Sequence, residues 1–122
     1  MRMEGLRDRT KQFALRVVRM YSSLPKQSAA QVMGKQVLRS GTSVAANFRE
    51  ASRARSNAEF AAKLGIVVQE LDETMLWFEL LVESDIIGDD KLRPLHSEAD
   101  ELIKIMITAI KHTKSKKNTP RS

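Results

Sequence analysis

Between residues 57 and 84, Phe60, Leu64, Val67, Leu71, Thr74, Phe78 and Leu81 recur at alternating steps of four and three. A strand cannot put that spacing on one face, because its side chains alternate with a period of two. It is the period of a long helix packed nearly parallel to other helices. Such a helix cannot bury its own stripe, so the rest of the chain must supply partners. Its start is also written in the sequence. Ser56-Asn57-Ala58-Glu59 is a capping box, in which Ser56 accepts from the Glu59 amide and the Glu59 carboxylate reaches back to the Ser56 amide.

Three further segments carry helical spacing. The first covers about 6–22, with Leu6, Phe13, Val17 and Met20 on one line and Leu24 continuing it into a turn. The second is expected over about 26–54, with Pro25 in its first turn, where a missing N–H costs nothing. Its apolar face is Met33, Val37, Gly41, Val44, Phe48 and Ala51, and Ser40-Gly41 in mid-helix predicts a kink or a close helix contact. The fourth follows Gly88-Asp89-Asp90, read as a turn with a capping aspartate, and runs to about 112 with an irregular start at Pro94. It is apolar on two faces: Leu102, Met106 and Ala109 on one, and Ile103, Ile107 and Ile110 on the other. The second face suits either a neighbouring subunit or a broad intramolecular core. Short connections between helices of similar length imply an all-α, antiparallel up-down-up-down four-helix bundle. Residues 1–112 form its domain and 113–122 a basic, disordered tail.

Composition agrees with one helical domain. The chain has 122 residues, five glycines, three prolines and 5% aromatics, against the many turns of a β-sandwich. It has no cysteine, which excludes disulfides and thiolate metal sites. No apolar run approaches the ~18 residues of a membrane span, and residues 1–24 are too charged for a signal peptide; the expected location is the cytoplasm. The net charge of +6 conceals a split of +9 over residues 1–63, −8 over 64–110 and +5 over 111–122. A dipolar molecule of this kind attracts polyanions on one side, or copies of itself head to tail.

Signals for catalysis are weak. His96 and His112 lie sixteen residues apart on one helix, and Glu70 and Glu73 have no histidine three residues on, as a di-iron bundle requires. No phosphate-binding glycine loop or nucleophile elbow is present, and no metal or cofactor is expected. An enzymatic role would need a buried Glu50–Glu70 pair holding a metal or ligand. The second helix is more informative. Lys35, Arg39, Arg49 and Arg53 stay within about 40° of one line at 100° per residue, with Thr42 and Ala46 between them. Such a ridge either tracks phosphates or is a solvated face paired with an acidic neighbour. Arg55 and the tail residues Lys114, Lys116 and Lys117 extend the candidate surface. Tyr21 and Trp77 are not interleaved with it, which argues against base stacking. Beside the apolar stripe, Arg39, Ser43, Asn47 and Glu50 follow one another along the helix, and with Glu70 they are expected to form a structural polar network.

The order of these residues resembles the 23S rRNA intervening-sequence protein family, also called the four-helix bundle protein family. The resemblance rests on Leu24-Pro25-Lys26, then Arg39, Ser43, Asn47 and Glu50, then Ser56, Glu59 and Phe60, then Glu70, Leu71 and Asp72, and covers about residues 10–110. The chain departs from the family pattern at Ala51, where glycine is usual after the glutamate, and at Val67 and Val68, where small residues are common. The resemblance implies a bundle that assembles into a cyclic homopentamer. It also implies kinship with a distant branch, the accessory proteins of diversity-generating retroelements, which bind nucleic acid and a reverse transcriptase. Two functional expectations follow. One is a non-enzymatic oligomeric adaptor binding RNA or DNA through its basic patches. The other is a protein-interaction scaffold, with a protein partner of unidentified kind, whose charges serve homo-oligomer assembly without nucleic acid.

Overall fold

The computed structural model describes residues 4–115. They form four helices, α1 (Glu4–Ser22), α2 (Ser28–Ser52), α3 (Asn57–Glu83) and α4 (Asp89–Lys114). The links between them are five, four and five residues long, too short for anything but antiparallel neighbours. Side-chain pairs fix the register of α2 against α3: Arg39 faces Glu73, Ser40 faces Thr74, and Glu50 faces Lys63. The chain folds as the expected four-helix bundle. Its strongest seams are α2–α3, α3–α4 and α1–α2, while α1 and α4 meet only lightly.

The core is built from the stripes. All seven positions of the α3 stripe are buried, and Phe13, Phe48 and Phe78 lie almost wholly out of solvent. Each buried phenylalanine contributes about 2–3 kcal/mol of apolar transfer. On α2 the buried face runs through Ala30, Gly34, Val37, Gly41, Val44, Phe48 and Ala51. Gly41 resolves the choice between kink and close contact. The helix is unbroken there, and a Cβ on Gly41 would stand 2.8 and 2.9 Å from the two Cγ methyls of Val17. Glycine lets α1 and α2 approach to within the width of a methyl group.

The thin α1–α4 seam is closed by charge. Arg9 donates from Nε to Glu98 Oε2 at 2.7 Å and from Nη2 to Glu98 Oε1 at 2.8 Å, and Glu101 lies 3.0 Å from the same Nη2. This bidentate fork is the strongest geometry available to an arginine and a carboxylate. It raises the Arg9 pKa, chiefly through the Glu98 hydrogen bond.

Helix ends follow expectation in part. At α3 the Glu59 amide donates to Ser56 Oγ at 3.1 Å, as the capping box requires. The Glu59 carboxylate accepts from the Arg55 amide at 3.1 Å. The start of α2 needs correction. Pro25 lies in the link, and α2 begins at Ser28 behind an extended Gln27 that gives no side-chain cap. Gln31 Nε2 donates to the Pro25 carbonyl at 2.9 Å, which ties the link back onto the first turn. The aspartate cap of α4 also needs correction. Gly88 is the N-cap residue and no side chain caps the helix; Asp89 instead pairs with Arg93 one turn on. Pro94 is exposed inside a continuous α4, which reaches Lys114, slightly beyond the expected end. On the second α4 face, Ile103 and Ile110 are half-buried against the core and Ile107 is exposed. Among the described residues, no helix is long and apolar enough to cross a membrane.

Candidate nucleic-acid interface

The ridge on α2 is continuous in position but not in charge. Lys35 and Arg49 are exposed on α2, and exposed Arg53 is its C-cap residue. Their side chains form no ion pair among the described residues. Arg39 differs. Its guanidinium, 49% exposed, donates to both oxygens of Glu70 at 3.5 Å and pairs more closely with Glu73. Glu73 in turn accepts from the Trp77 indole N–H at 3.1 Å. The Arg39 pKa is raised and the Glu73 pKa lowered, each mainly by the hydrogen bond to the other. Two carboxylates beside one guanidinium leave the middle of the ridge neutral or slightly negative.

The far end of α2 gathers positive charge from several elements. Arg49 and Arg53 end the helix, and Arg55 stands exposed in the link to α3. Lys114, on the last turn of α4, lines the same shallow groove as Asn57 and Ala58 at the start of α3. Antiparallel packing therefore brings Lys114 to the end of the bundle that holds Arg53 and Arg55, although some sixty residues separate them in the chain. Lys116 and Lys117 lie outside the described residues. Lys111, exposed on α4 near that same end, is a neighbour that reading the sequence alone did not single out.

The expected polar network is not one network. Arg39 and Glu70 do meet, but Asn47 donates to the Ser43 carbonyl within α2 at 2.9 Å, and Glu50 pairs across to Lys63 at 2.7 Å. The Lys63 pKa is raised, principally by that hydrogen bond. Glu50 and Glu70 have different partners along the seam, Lys63 for the one and Arg39 for the other. Glu50 is also exposed. This removes the pair on which an enzymatic reading depended. Among the described residues no cluster of three or more histidines and carboxylates is arranged to hold a metal. The residues at the buried centre are Ser40 and Thr74, which the sequence reading placed on apolar stripes or in a kink rather than in a polar pair. Antiparallel register was the signal that would have found them. His96 bridges α4 to α3 by a 2.8 Å contact with Glu79.

Comparison with known proteins places this arrangement. The profile of the 23S rRNA-intervening sequence protein family matches residues 6–108. A solved structure from Bacteroides thetaiotaomicron, described as a protein with unknown function from the S23 ribosomal protein family, is similar to this chain at 40% sequence identity. The similarity covers 86% of this chain and 97% of that one, with a TM-score of 0.81. No curated protein matches. From the matched span, the four-helix order and the shared fold, the chain belongs to the 23S rRNA-intervening sequence protein family.

Proposed function

We propose that the protein is a non-enzymatic, oligomeric adaptor that binds RNA or DNA through its basic surface. The observation that carries this reading is the set of uncompensated cations on α2. Lys35, Arg49 and Arg53 are exposed with no acidic partner among the described residues, while nearby acidic groups are spent on Arg39 and Lys63. Arg55 and Lys114 enlarge the cluster at one end of the bundle, and Lys116 and Lys117 follow directly in the chain. Phosphate contacts of this kind give affinity without sequence preference, weakening as salt rises. The homopentameric assembly implied by the family resemblance would repeat the surface, so that weak binding by one subunit suffices. Cytoplasmic location fits such a role. The test is Arg49→Glu with Arg53→Glu, assayed by fluorescence anisotropy against unrelated RNA and DNA probes. Binding should fall for every probe, and unchanged binding removes α2 from the site.

A specific feature favours the scaffold reading as an alternative. Leu76 and Leu80, one turn apart on the outside of α3, are exposed, with Ile66 on the same helix and Ile107 on α4. Asp72, Glu79 and Glu83 flank the leucines. An apolar strip edged with acid suits the basic face of a second copy, as a head-to-tail ring requires. In that case native mass spectrometry finds an assembly that loosens with Leu76→Asp, and the same protein shows negligible nucleic-acid affinity at physiological salt.

A further inference from the structure

Arg39 divides the α2 ridge into two cationic poles. Lys35 stands on one side, and Arg49 with Arg53 on the other. Fourteen residues separate Lys35 from Arg49, a rise of about 21 Å, and eighteen separate it from Arg53, about 27 Å. Between the poles lie half-buried Thr42, exposed Ala46, and the Arg39 guanidinium facing Glu70 and Glu73.

This pattern discriminates between polyanions. A single strand presents closely spaced phosphates and is gripped by a continuous cationic track with aromatic platforms for its bases. A strand laid along this ridge would pass the two carboxylates on its way from Lys35 to Arg49. It would also find no free ring, because Trp77 is half-buried with its indole N–H on Glu73 and Tyr21 is half-buried beside Gln31. A double helix presents two phosphate rows bounding a groove about 12 Å wide in the B-form major groove, with an uncharged floor. The phosphates bounding such a groove lie farther apart than its open width, and two poles flanking a stretch without net positive charge match two rows. The small side chains at 42 and 46 let the helix approach the groove between them.

We propose that the nucleic acid held by this face is double-helical, its two phosphate rows bound by Lys35 and by Arg49 with Arg53, and that Arg39 makes no phosphate contact. This rests on the nucleic-acid reading above and narrows it. The full chain is titrated by anisotropy with labelled mixed-sequence strands of about 20 nucleotides, long enough for the ~27 Å span. Each strand is offered alone and annealed, as RNA and as DNA. The annealed form of one or both is expected to bind at least about tenfold tighter than the single strands at equal salt. Lys35→Glu should lower the log–log salt slope by about one, and Arg49→Glu with Arg53→Glu by about two. Arg39→Gln with Glu73→Gln, which removes the cation together with one of its carboxylates and is checked for folding by circular dichroism, should leave duplex affinity within about twofold, since no phosphate contact is lost. Equal or tighter binding of single strands overturns the inference while leaving the broader reading intact. So does a loss from Arg39→Gln with Glu73→Gln as large as that from Arg49→Glu with Arg53→Glu. No binding to any probe at low salt defeats the nucleic-acid reading itself.

Discussion

Ser40 Oγ lies 2.7 Å from Thr74 Oγ1 across the α2–α3 seam, and both residues are fully buried. Thr74 Oγ1 also sits 2.7 Å from the Glu70 carbonyl, to which it can only donate. Its one proton is therefore spent, and the Ser40 hydroxyl must donate to Thr74. The seam holds a directed chain, Ser40 to Thr74 to the Glu70 backbone.

That direction makes the two ends unequal. Ser40→Ala removes a donor and leaves Thr74 still bonded to Glu70, costing about 1 kcal/mol. Thr74→Val keeps the shape but leaves the Ser40 hydroxyl with only the Val37 carbonyl at 3.5 Å, so about 1–3 kcal/mol is expected. The double variant, apolar on both sides, should cost less than the sum. Urea unfolding of the four proteins gives the coupling directly, and strict additivity would show that the hydroxyls do not interact.

Why was this pair not legible in the sequence when the fold was? The α3 stripe declares a helix by its own period, and Ser56 with Glu59 declares its start, because both signals are local. Ser40 and Thr74 are each unremarkable in isolation. They become a pair only through the antiparallel register, a property of two helices together. The same limit applies to charge. Counting along the chain assigned Arg39 to a ridge with Lys35 and Arg49 and expected Glu70 beside it, which the structure shows, but its closer partner Glu73, thirty-four residues away on α3, was not singled out as such. Arg9 with Glu98, eighty-nine residues apart, lay wholly outside local reading. By contrast, Gly41 was recognisable as a contact or a kink because glycine in mid-helix is itself unfavourable.

Gly41 and Gly65 should respond oppositely to alanine. Both sit inside helices, where alanine gains about 1 kcal/mol in propensity. At Gly65 a Cβ meets nothing within 4 Å, so that gain is realised as stability. At Gly41 it meets both branches of Val17, and no rotation of a β-branched side chain clears both. Overpacking of about 1–3 kcal/mol then exceeds the propensity gain. Thermal melts should move up for Gly65→Ala and down for Gly41→Ala, and Gly41→Ala with Val17→Ala should recover part of the loss. A rise for both would mean that α1 yields freely at this crossing.

Asp85→Gly should stabilise the end of α3. Asp85 has φ of 62°, and its amide donates to the Val82 carbonyl while the Ile86 amide donates to that of Leu81 at 3.0 Å. Those two bonds are the Schellman pattern, which places a left-handed residue where glycine is preferred. An aspartate pays a steric cost there that glycine does not, partly offset by glycine's greater freedom in the unfolded chain. A gain of about 0.5–1 kcal/mol is expected by chemical denaturation. A loss would indicate that the Asp85 carboxylate holds this turn by some other means.

Glu73 gives the protein an acid-sensitive contact with its own optical reporter. Its carboxyl is held below the ordinary glutamate value of 4.5 by the Arg39 hydrogen bond first and the Trp77 hydrogen bond second. A depressed folded pKa means that, as pH falls below 4.5, the unfolded chain takes up this proton before the folded one does. The stabilisation is thus fully present above the ordinary value and disappears as pH falls through the lower, folded value. Arg39 stays charged throughout, its own pKa being raised. Glu73→Gln removes the titrating group, so the stability gap between wild type and variant should be widest at neutral pH and close in acid. Glu70 still faces Arg39 in the variant, and the contact is partly exposed, so the gap should be modest and shrink with salt. Trp77 is the single tryptophan of the chain, and its N–H rests on the carboxylate in question. Its fluorescence should shift with Glu73 protonation at a pH where circular dichroism still shows the folded helices, and Glu73→Gln should lack that shift. Parallel acid limbs for the two proteins would mean that the Arg39–Glu73–Trp77 contact is not formed in solution.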